Sequence, residues 1–458
     1  MKTDLIKPNL TRLGSILLIL ASMFLISCVN VDKGKSDIFT DFQDVQTILE
    51  FSNETKEDIS LDISDSNNIL TFRLLRYFLK GDQKNSLIFS PYSLYSAMIL
   101  LYEGSEGATK KALKSFFYFD DFEETRRNYY ILNSKLLDYG SSSLVSINVS
   151  NALVANNRFR LNPEYSKILK DFYNAELFSF DFIKEKFDAL KIVNKFISDS
   201  TSGKINKVVN ENMISEETLL LLVNVVYFKS KWKYDFEKTQ DEYFYLSPSN
   251  KFKIPMMKIE KFSGKRFGYY EDDLFQVLEM PYENEDYSML IFLPRFGKQK
   301  IYEKDQDGKI LEKEVNFNYT IYDLNLSLDF FNYVFDNIGY DSDFERIWVP
   351  KFKINSNLGF DNILKKLGLK EVFCPIANFS RISETPGVCV SSILQVAFIE
   401  VNEKYTEAGA ATIISVIGSS APSRIVKKVS FKADHPFVFF IIHRPTRTIL
   451  FSGIFFGK

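Results

Sequence analysis

Runs of apolar residues without charges are the clearest pattern along this chain, and they predict buried strands and helices. Leu219 to Phe228 reads as an apolar strand that only Asn224 interrupts. Because a buried amide side chain needs hydrogen-bond partners, Asn224 is expected to meet polar groups in the core. Other strands are predicted, from apolar and β-branched residues, at 151–154, 288–294, 437–442 and 448–456.

The strongest helix signal follows Ser90, because Pro91 directly after it marks a helix start. The helix beyond is nearly all apolar, so it should be buried and the hydroxyls of Ser90 and Ser93 should need partners. Further helices are predicted from apolar spacing or a capping residue: after the cap Ser66, across 189–201, and across 353–368.

Residues 297–345 are polar, and two short alternating runs flank Asp307 and Gly308. An Asp-Gly turn between alternating runs predicts a β-hairpin. The alternative is a calcium-binding EF-hand loop, but its first position holds glutamate and no second hand is evident. The residues at EF-hand spacing are Glu303, Asp305, Asp307, Gly308, Ile310 and Glu314.

A further strand-like segment, from Thr406 to Ile417, contains no proline and only one charged residue. Small residues at 408–411 precede β-branched residues, the types favoured on a pleated surface. Left on a surface, such a segment should be an aggregation hazard. We therefore predict that the fold keeps a place for it.

The composition indicates a globular chain, since 45% of the 458 residues are apolar and 15% are aromatic. A formal net charge of −2 argues against a nucleic-acid partner, which would need a concentrated basic face. Neither a long linker nor a repeat divides 66–458, so we predict one mixed domain with an insertion within 297–345. We expect neither a cofactor nor a metal, and a monomer.

The N-terminus, 1–27, has the pattern of an export signal: a basic leader and then an apolar run too short to span a membrane comfortably. The residues directly before Cys28 resemble the lipobox of bacterial lipoprotein signals. In such signals the cysteine is lipidated and becomes the first residue of the mature chain. A plain cleaved signal and an uncleaved anchor are the alternatives. We expect 28–65 to form a polar tether, which would hold the protein by lipid at the bacterial envelope, outer membrane or cell surface, or place it outside the cell.

Two further cysteines, Cys374 and Cys389, lie 15 positions apart. An exported protein could join them in a disulfide. Two buried free thiols are the favoured expectation, because a chain with so few cysteines does not have the pattern of a fold that depends on disulfide bonds.

A series of short motifs follows one order through 66–458: Asn85, 89–93, Gly104, 194–205, 223–232, Phe236, Thr239, 278–282, 293–294, 350–352, 367–368, 435–439 and 450–453. Each motif alone is weak. In this order and spacing they resemble the serpin family, the serine protease inhibitors, with Phe196 where a tryptophan is usual.

This resemblance implies an α+β fold: a large central mixed β-sheet, further sheets, about eight or nine helices and an exposed reactive-centre loop. The loop is bait for a serine protease, or for a cysteine protease. After the protease forms an acyl-enzyme, the cut loop inserts into the large sheet as a new strand and drags the enzyme along. The residues that resemble the hinge of this loop are Glu403, Tyr405, Thr406, Glu407, Ala408, Gly409, Ala410, Ala411 and Thr412.

The scissile bond is placed by the family spacing, sixteen residues after the hinge glutamate, which gives Ser419 with the bond to Ser420. The next candidates are Gly418 and Ile417. Because these residues are small or apolar, the resemblance implies a target with a small or apolar pocket, elastase-like or subtilisin-like. Alternate positions of the inserted strand would face inward, and none carries a charge: 406, 408, 410, 412 and 414.

Two positions depart from the family pattern. Tyr405 stands where glycine is usual, and a tyrosine does not adopt positive φ cheaply, so insertion would slow if that bend is needed. Gln395 replaces a usual histidine, but glutamine can still donate and accept hydrogen bonds. The residues that resemble the family's shutter and breach are Ser90, Ser93, Asn224, Gln395 and Trp232, and ordinary polar pairing in the core is their alternative explanation.

Three function classes follow. The first is a suicide-type inhibitor of an extracellular serine protease. The second, which Tyr405 would favour, is a non-inhibitory protein of the same fold that binds a ligand or host partner and whose loop is merely cut. A hydrolase is disfavoured, since the usual nucleophile and zinc motifs are missing from the sequence and its two histidines, His435 and His443, belong to the closing strands.

Overall fold

The computed structural model describes residues 61–80, 84–136, 145–304, 310–406 and 428–457, without the side chains of 300–304, 310–312 and 405–406. These ranges contain a 3-10 turn at Ile321–Asp323 and eight α-helices. None of the described helices is long and apolar enough to cross a membrane. The helices are α1 (Ile63–Lys80), α2 (Pro91–Glu103), α3 (Gly107–Phe117), α4 (Phe122–Leu136), α5 (Pro163–Tyr173), α6 (Lys186–Ser200), α7 (Leu328–Asn337) and α8 (Asp361–Lys366).

Eighteen strands accompany the helices in the described ranges. They are β1 (Leu87–Phe89), β2 (Val145–Asn156), β3 (Glu176–Phe180), β4 (Leu220–Lys231), β5 (Lys238–Ser247), β6 (Asn250–Ile259), β7 (Gly268–Glu271), β8 (Phe275–Pro281), β9 (Tyr287–Pro294), β10 (Phe296–Lys304), β11 (Ile310–Asn318), β12 (Asp343–Pro350), β13 (Phe352–Gly359), β14 (Val390–Val401), β15 (Tyr405–Thr406), β16 (Lys428–Lys432), β17 (Phe437–His443) and β18 (Thr448–Phe455).

The strands form three sheets and one two-stranded hairpin. The large sheet has the order β13-β14-β4-β2-β3, with the short β15 also paired to β4. It is mixed, because β14 runs parallel to β4 whereas β2 runs antiparallel to it. The second six-stranded sheet has the order β1-β18-β17-β9-β8-β7, and a four-stranded sheet has the order β16-β12-β6-β5. This is the α+β architecture that the sequence analysis predicted.

Strand β4 is apolar on both faces because both faces of the large sheet are covered. Leu220 and Leu222 pack into the main core, whereas Leu221 and Val223 pack in a smaller core under α6. Successive side chains of a strand point to opposite faces, so a doubly covered strand reads as an unbroken apolar run. Asn224 lies on the main-core side of this strand, fully buried.

Helix α2 confirms the predicted start at Ser90 and the predicted burial. The Ser90 hydroxyl accepts a hydrogen bond from the Ser93 amide at 3.1 Å, which is an N-cap, and Pro91 occupies the first turn. All thirteen residues of the helix are buried. The helix therefore presents Ser90 and Ser93 to the centre of the protein rather than to solvent.

Ser66 does not cap the first helix, contrary to the prediction. Helix α1 begins at Ile63, and Asp62 accepts a hydrogen bond from the Ser64 amide at 2.7 Å. The polar side chains that follow are buried against β18: the Asn67 amide group donates to the Ile449 carbonyl at 2.9 Å, and Asn68 accepts from the Ile449 amide at 3.0 Å. Helix α1 is thus bound to the closing strand β18.

The helix predicted across 353–368 is wrong for its first half. Residues Phe352–Gly359 form strand β13, and only Asp361–Lys366 is helical. Phe352 and Ile354 are buried whereas Lys353 and Asn355 are exposed, an alternation with period two that identifies a strand.

The hairpin predicted around Asp307 and Gly308 is confirmed by its strands. β10 and β11 pair antiparallel from Phe296–Asn318 to Lys304–Ile310, and the turn itself lies outside the described residues. The polar region also contains helix α7, which the sequence pattern did not indicate and which buries Phe331 and Val334.

Cys374 and Cys389 are joined in a disulfide, so the expectation of two free thiols is wrong. Phe373 and Val390 form a β-bridge directly beside the two cysteines and bring their Cα atoms to 5.2 Å. Cys389 is buried while Cys374 is exposed. The bond fixes the loop that leads into β14.

We expect loss of this disulfide to destabilise the protein. A cross-link that closes a 15-residue loop contributes about 3 kcal/mol by restricting the unfolded chain. The double variant Cys374→Ser, Cys389→Ser should therefore have a free energy of unfolding lower by about 3 kcal/mol, measured by urea denaturation. Adding reductant should bring the wild type to the same level and leave the variant unchanged. Equal stability of oxidised and reduced wild type would contradict the prediction.

Candidate functional site

The large sheet contains a gap between its two central strands. β14 pairs with β4 from Val390–Leu220 to Ala397–Val226. Beyond this point, β4 pairs with β15 through Tyr405–Lys231 and Thr406–Ser230. The segment after β14 thus turns back and begins a new antiparallel strand on β4, at the end of the sheet where β4 and β14 have separated.

Three hydrogen bonds hold the backbone of the turn between β14 and β15. The indole Nε1 of Trp232 donates to the Asn402 carbonyl at 2.9 Å. The amides of Phe236 and Trp232 donate to the carbonyls of Glu403 at 2.9 Å and Lys404 at 3.2 Å. Trp232 is itself fixed, because its ring stacks on Tyr282 with centroids 4.6 Å apart. The sequence-predicted breach residue Trp232 therefore lies directly against the predicted hinge.

The Glu403 carboxylate is a second anchor of this turn. The Lys351 ammonium donates to its two oxygens at 3.2 and 3.0 Å, and the Thr239 hydroxyl donates to Oε1. Desolvation alone would raise the pKa of Glu403, but the hydrogen bonds and the charge of Lys351 outweigh it and lower the pKa below 4.5, its ordinary value. The carboxylate is therefore ionised and clamped at neutral pH. The sequence analysis did not identify Lys351 as its partner.

We expect Glu403→Gln to remove a pH-dependent share of stability. Because the folded-state pKa is depressed, the contribution of Glu403 is fully present above its unfolded pKa and is lost as pH falls through its folded pKa. The variant should be less stable than the wild type by about 1 kcal/mol at neutral pH, since the side chain is 27% exposed. The difference should shrink towards zero below pH 4.5, measured by urea denaturation across pH.

Glu400→Gln is the matched control for this variant. Glu400 lies near Lys353 at a longer distance, 3.9 Å, with both side chains more exposed. An exposed ion pair of this kind contributes less than about 0.5 kcal/mol. A loss at Glu403 that stays constant down to pH 3 would refute the electrostatic explanation.

Tyr405 lies in the extended strand β15, and its φ is not positive in this state. The bend that glycine would ease is therefore not required for the first step of strand formation. The hinge residues beyond it, Glu407 to Thr412, lie outside the described residues.

Gln395 connects helix α2 to the two central strands of the large sheet. Its Oε1 accepts from the Ser90 amide at 2.8 Å, and its Nε2 donates to the Ser90 carbonyl at 2.8 Å. The same Nε2 donates to Asn224 Oδ1 at 2.8 Å, which crosses from β14 to β4. Glutamine therefore both donates and accepts at the position where the family usually has histidine.

Asn224 completes this cluster, which comprises Ser90, Ser93, Asn151, Asn224 and Gln395. Its Nδ2 donates to the Ser93 carbonyl at 2.9 Å and to Asn151 Oδ1 at 2.7 Å. The Ser90 hydroxyl donates to the Leu450 carbonyl at 2.6 Å and so ties the cluster to β18. The sequence analysis did not select Asn151, because the first half of β2 is rich in serine and asparagine and gives no signal comparable to that of Asn224, although Asn151 is itself buried.

The remaining predicted site residues lie outside the described part of the chain. These are the bait residues Ile417, Gly418, Ser419 and Ser420, the hinge residues Glu407, Ala408, Gly409, Ala410, Ala411 and Thr412, and the lipidation residue Cys28. Within the described ranges, no group of three or more histidine, cysteine, aspartate or glutamate residues is arranged to hold a metal ion.

The model of the serpin (serine protease inhibitor) family matches residues 65–457 of this chain. The chain belongs to the serpin family. Leukocyte elastase inhibitor A of Mus musculus is 30% identical over 401 residues, which cover 85% of this serpin and 98% of the mouse protein. A serpin-like protein of Thermococcus kodakarensis is 32% identical over 403 residues, 87% of this chain and 86% of its own.

Solved serpin structures superpose on this one. Serpin48 of the insect Tenebrio molitor, described as a highly specific serpin, has a TM-score of 0.68 and 26% identity, and covers 86% of this chain and 97% of its own. The native state of the thermophilic serpin tengpin has a TM-score of 0.70 at 22% identity, covering 87% and 95%, which shows a shared fold.

Proposed function

We propose that this serpin inhibits extracellular serine endopeptidases as a suicide substrate, by insertion of its cleaved loop. The observation that carries this proposal is the start of strand β15 on β4, in the gap where β4 and β14 separate. Once β14 has separated from β4, a cut loop can extend β15 along β4 and become a full strand between them. The named relative, leukocyte elastase inhibitor A, supports the assignment to protease inhibition rather than to an enzyme.

The reaction begins when the serine hydroxyl of the protease attacks the carbonyl of Ser419. The bond to the nitrogen of Ser420 breaks, and the new amino terminus leaves with the C-terminal part of the loop. The protease remains attached as an ester on Ser419, an acyl-enzyme. Insertion then competes with hydrolysis of this ester, and only fast insertion traps the enzyme.

Insertion requires β14 to separate from β4 along 390–397. The hydrogen bond from Gln395 to Asn224 crosses this boundary, so an entering strand must break it. The cluster around Asn224 therefore resists opening until the free end of the loop supplies new backbone hydrogen bonds to both strands. This balance would keep the uncut protein closed and let the cut protein open.

The bait residues support a target with a small or apolar binding pocket. Ser419 and the preceding Gly418 are small, and the nearest basic residue is Arg424, beyond Pro422. An elastase-like or subtilisin-like enzyme fits this bond, whereas a trypsin-like enzyme does not. We further propose that the protein is exported and held at the bacterial envelope by lipid on Cys28, as a monomer.

The test is a protease panel with the purified protein. Elastase-, chymotrypsin- and subtilisin-like enzymes are mixed with it at several ratios, and products are separated in SDS. An SDS-resistant covalent complex with the elastase- or subtilisin-like enzyme, with a C-terminal peptide that begins at Ser420, is the expected result. Clean cleavage without complex at every ratio would overturn the proposal in favour of the non-inhibitory alternative.

A further inference from the structure

A cavity of about 520 Å³ lies between the base of the β10–β11 hairpin, strand β7 and the edge strand β16. Small-molecule sites in proteins span roughly 300–1,000 Å³. Polar side chains that are themselves buried form part of its lining: Tyr269, Gln276, Arg295 and His435. The cavity is thus a built, polar recess of ligand size.

The three carboxylates in the lining are already paired with donors of the same lining. The guanidinium groups of Arg295 and Arg346 neutralise two of these three negative charges, and three lysines of the same lining outnumber the third. The pairs are Glu271 with Arg295 at 2.9 Å, Asp434 with His435 at 2.9 Å, and Glu345 with Arg346.

Strand β16 supplies two further positively charged side chains to the lining. Lys428, Ser430 and Lys432 alternate with the buried residues Val429 and Phe431, so the three polar residues occupy one face of the strand. All three line the cavity. Among the described residues, neither lysine has a carboxylate within ion-pair distance. The strand therefore faces the cavity with two uncompensated positive charges and a hydroxyl between them.

The opposite wall adds a further positive group. Lys298, at the base of the hairpin, lines the same cavity and is 75% exposed in its side chain. Its ion pair with Glu314 is long, 3.3 Å, and lies in solvent, so the ammonium can be redirected at small cost. The Lys432 ammonium lies 4.3 Å from the ring centroid of Trp348, a ring that also has the Lys258 ammonium at 3.8 Å, so Lys432 can turn to a ligand while Lys258 keeps its contact with the ring.

We propose that this cavity binds a small molecule that carries a phosphate or sulfate ester, with the acid group held between Lys428 and Lys432 over Ser430. Lys428 and Lys432 are four positions apart, which is roughly 13 Å along a strand. Two extended lysine side chains that lean towards each other can both reach a group midway between them. Charge-assisted hydrogen bonds to an ionised ester oxygen are about twice as strong as neutral ones. The hydroxyl of Ser430 supplies a third donor at the centre.

Occupancy of the cavity would add contacts to strand β16, whose Val429 and Phe431 already lie in the core. Within the part of the chain that the structure describes, β16 is at the edge of its sheet and pairs with β12 alone. It is also the first described strand after the bait segment, so a bound anion would fix the point where that segment rejoins the body. Slower amide hydrogen exchange in β16 is expected when the ligand is present.

The test uses isothermal titration of the full protein at low ionic strength with three matched probes: glucose 6-phosphate, glucose 6-sulfate and glucose. One or both esters should bind, and glucose should not. Comparing the two esters distinguishes a phosphate site from a sulfate site. The double variant Lys428→Glu, Lys432→Glu should weaken binding at least about tenfold.

The matched control carries the same charge change on exposed lysines of another strand outside the cavity, Lys251→Glu with Lys253→Glu, and should bind within about twofold of the wild type. Ser430→Asp, which keeps both lysines, is a second variant that should also lose binding. The proposal is overturned if neither ester binds, if glucose binds equally, or if the control loses as much affinity as the cavity variants.

Discussion

Replacing Thr406 with arginine should convert this serpin from an inhibitor into a substrate. Thr406 is the register partner of Ser230, which is 1% exposed, and the alternation of the inserted strand predicts an inward-facing position there. An unpaired charge at such a position costs several kcal/mol, and each 1.4 kcal/mol slows a step about tenfold. The acyl-enzyme would then hydrolyse before insertion is complete.

The measurement is the ratio of SDS-resistant complex to cleaved inhibitor, with the elastase- or subtilisin-like enzyme that the panel identifies. We expect this ratio to fall at least about tenfold in Thr406→Arg. Glu407→Arg is the control, because the neighbouring position of a strand faces the opposite side and already carries a charge. Equal loss in both variants would refute the face-specific explanation and indicate that any arginine in the hinge blocks the reaction.

The second large effect is expected for Asn224→Ala. Asn224 is fully buried, and its side chain bonds to Ser93, Asn151 and Gln395. Alanine would leave the amide donor of Gln395 and the amide oxygen of Asn151 without these bonds, and each unsatisfied buried group costs about 1–3 kcal/mol. We expect the free energy of unfolding to fall by about 3 kcal/mol, measured from the urea midpoint at unchanged slope.

Asn355→Ala is the matched control, on strand β13 of the same sheet. Its side chain is exposed, so the same chemical change should alter stability by less than about 0.5 kcal/mol. A loss of under about 1 kcal/mol for Asn224→Ala would mean that water or rearranged neighbours satisfy the cluster, and that the cluster does not hold β4 and β14 together.

Some of the site was accessible from sequence because its signals are local. Ser90 followed by Pro91 identifies a helix start, and an asparagine in the apolar run of β4 requires buried partners. The segment from Thr406 to Ile417 stood out by its strand-like composition, the hinge was assigned within it by the family resemblance, and the count from Glu403 placed only the scissile bond. The described part of that hinge, Tyr405 and Thr406, pairs with β4 at the end of the gap.

Other features could not be predicted because the deciding partner is remote in sequence. Asn67 and Asn68 look like surface residues of an amphipathic helix, yet they are buried by hydrogen bonds to a strand about 380 positions away. The sequence left open whether Cys374 and Cys389 are free thiols or a disulfide. In the structure, a β-bridge beside them sets their separation, and they are joined.

Periodicity and motif order in the sequence were enough to predict the α+β fold, the apolar core strands and the family, and they also gave the predicted positions of the hinge and shutter residues. Which groups meet became clear from the three-dimensional arrangement of the strands. Lys351 clamps Glu403, Gln395 bridges β14 to β4, and β15 begins where those strands separate. Such pairings depend on sheet register and on closure of the fold, and no local pattern in the chain encodes the distance between residues that are far apart in sequence.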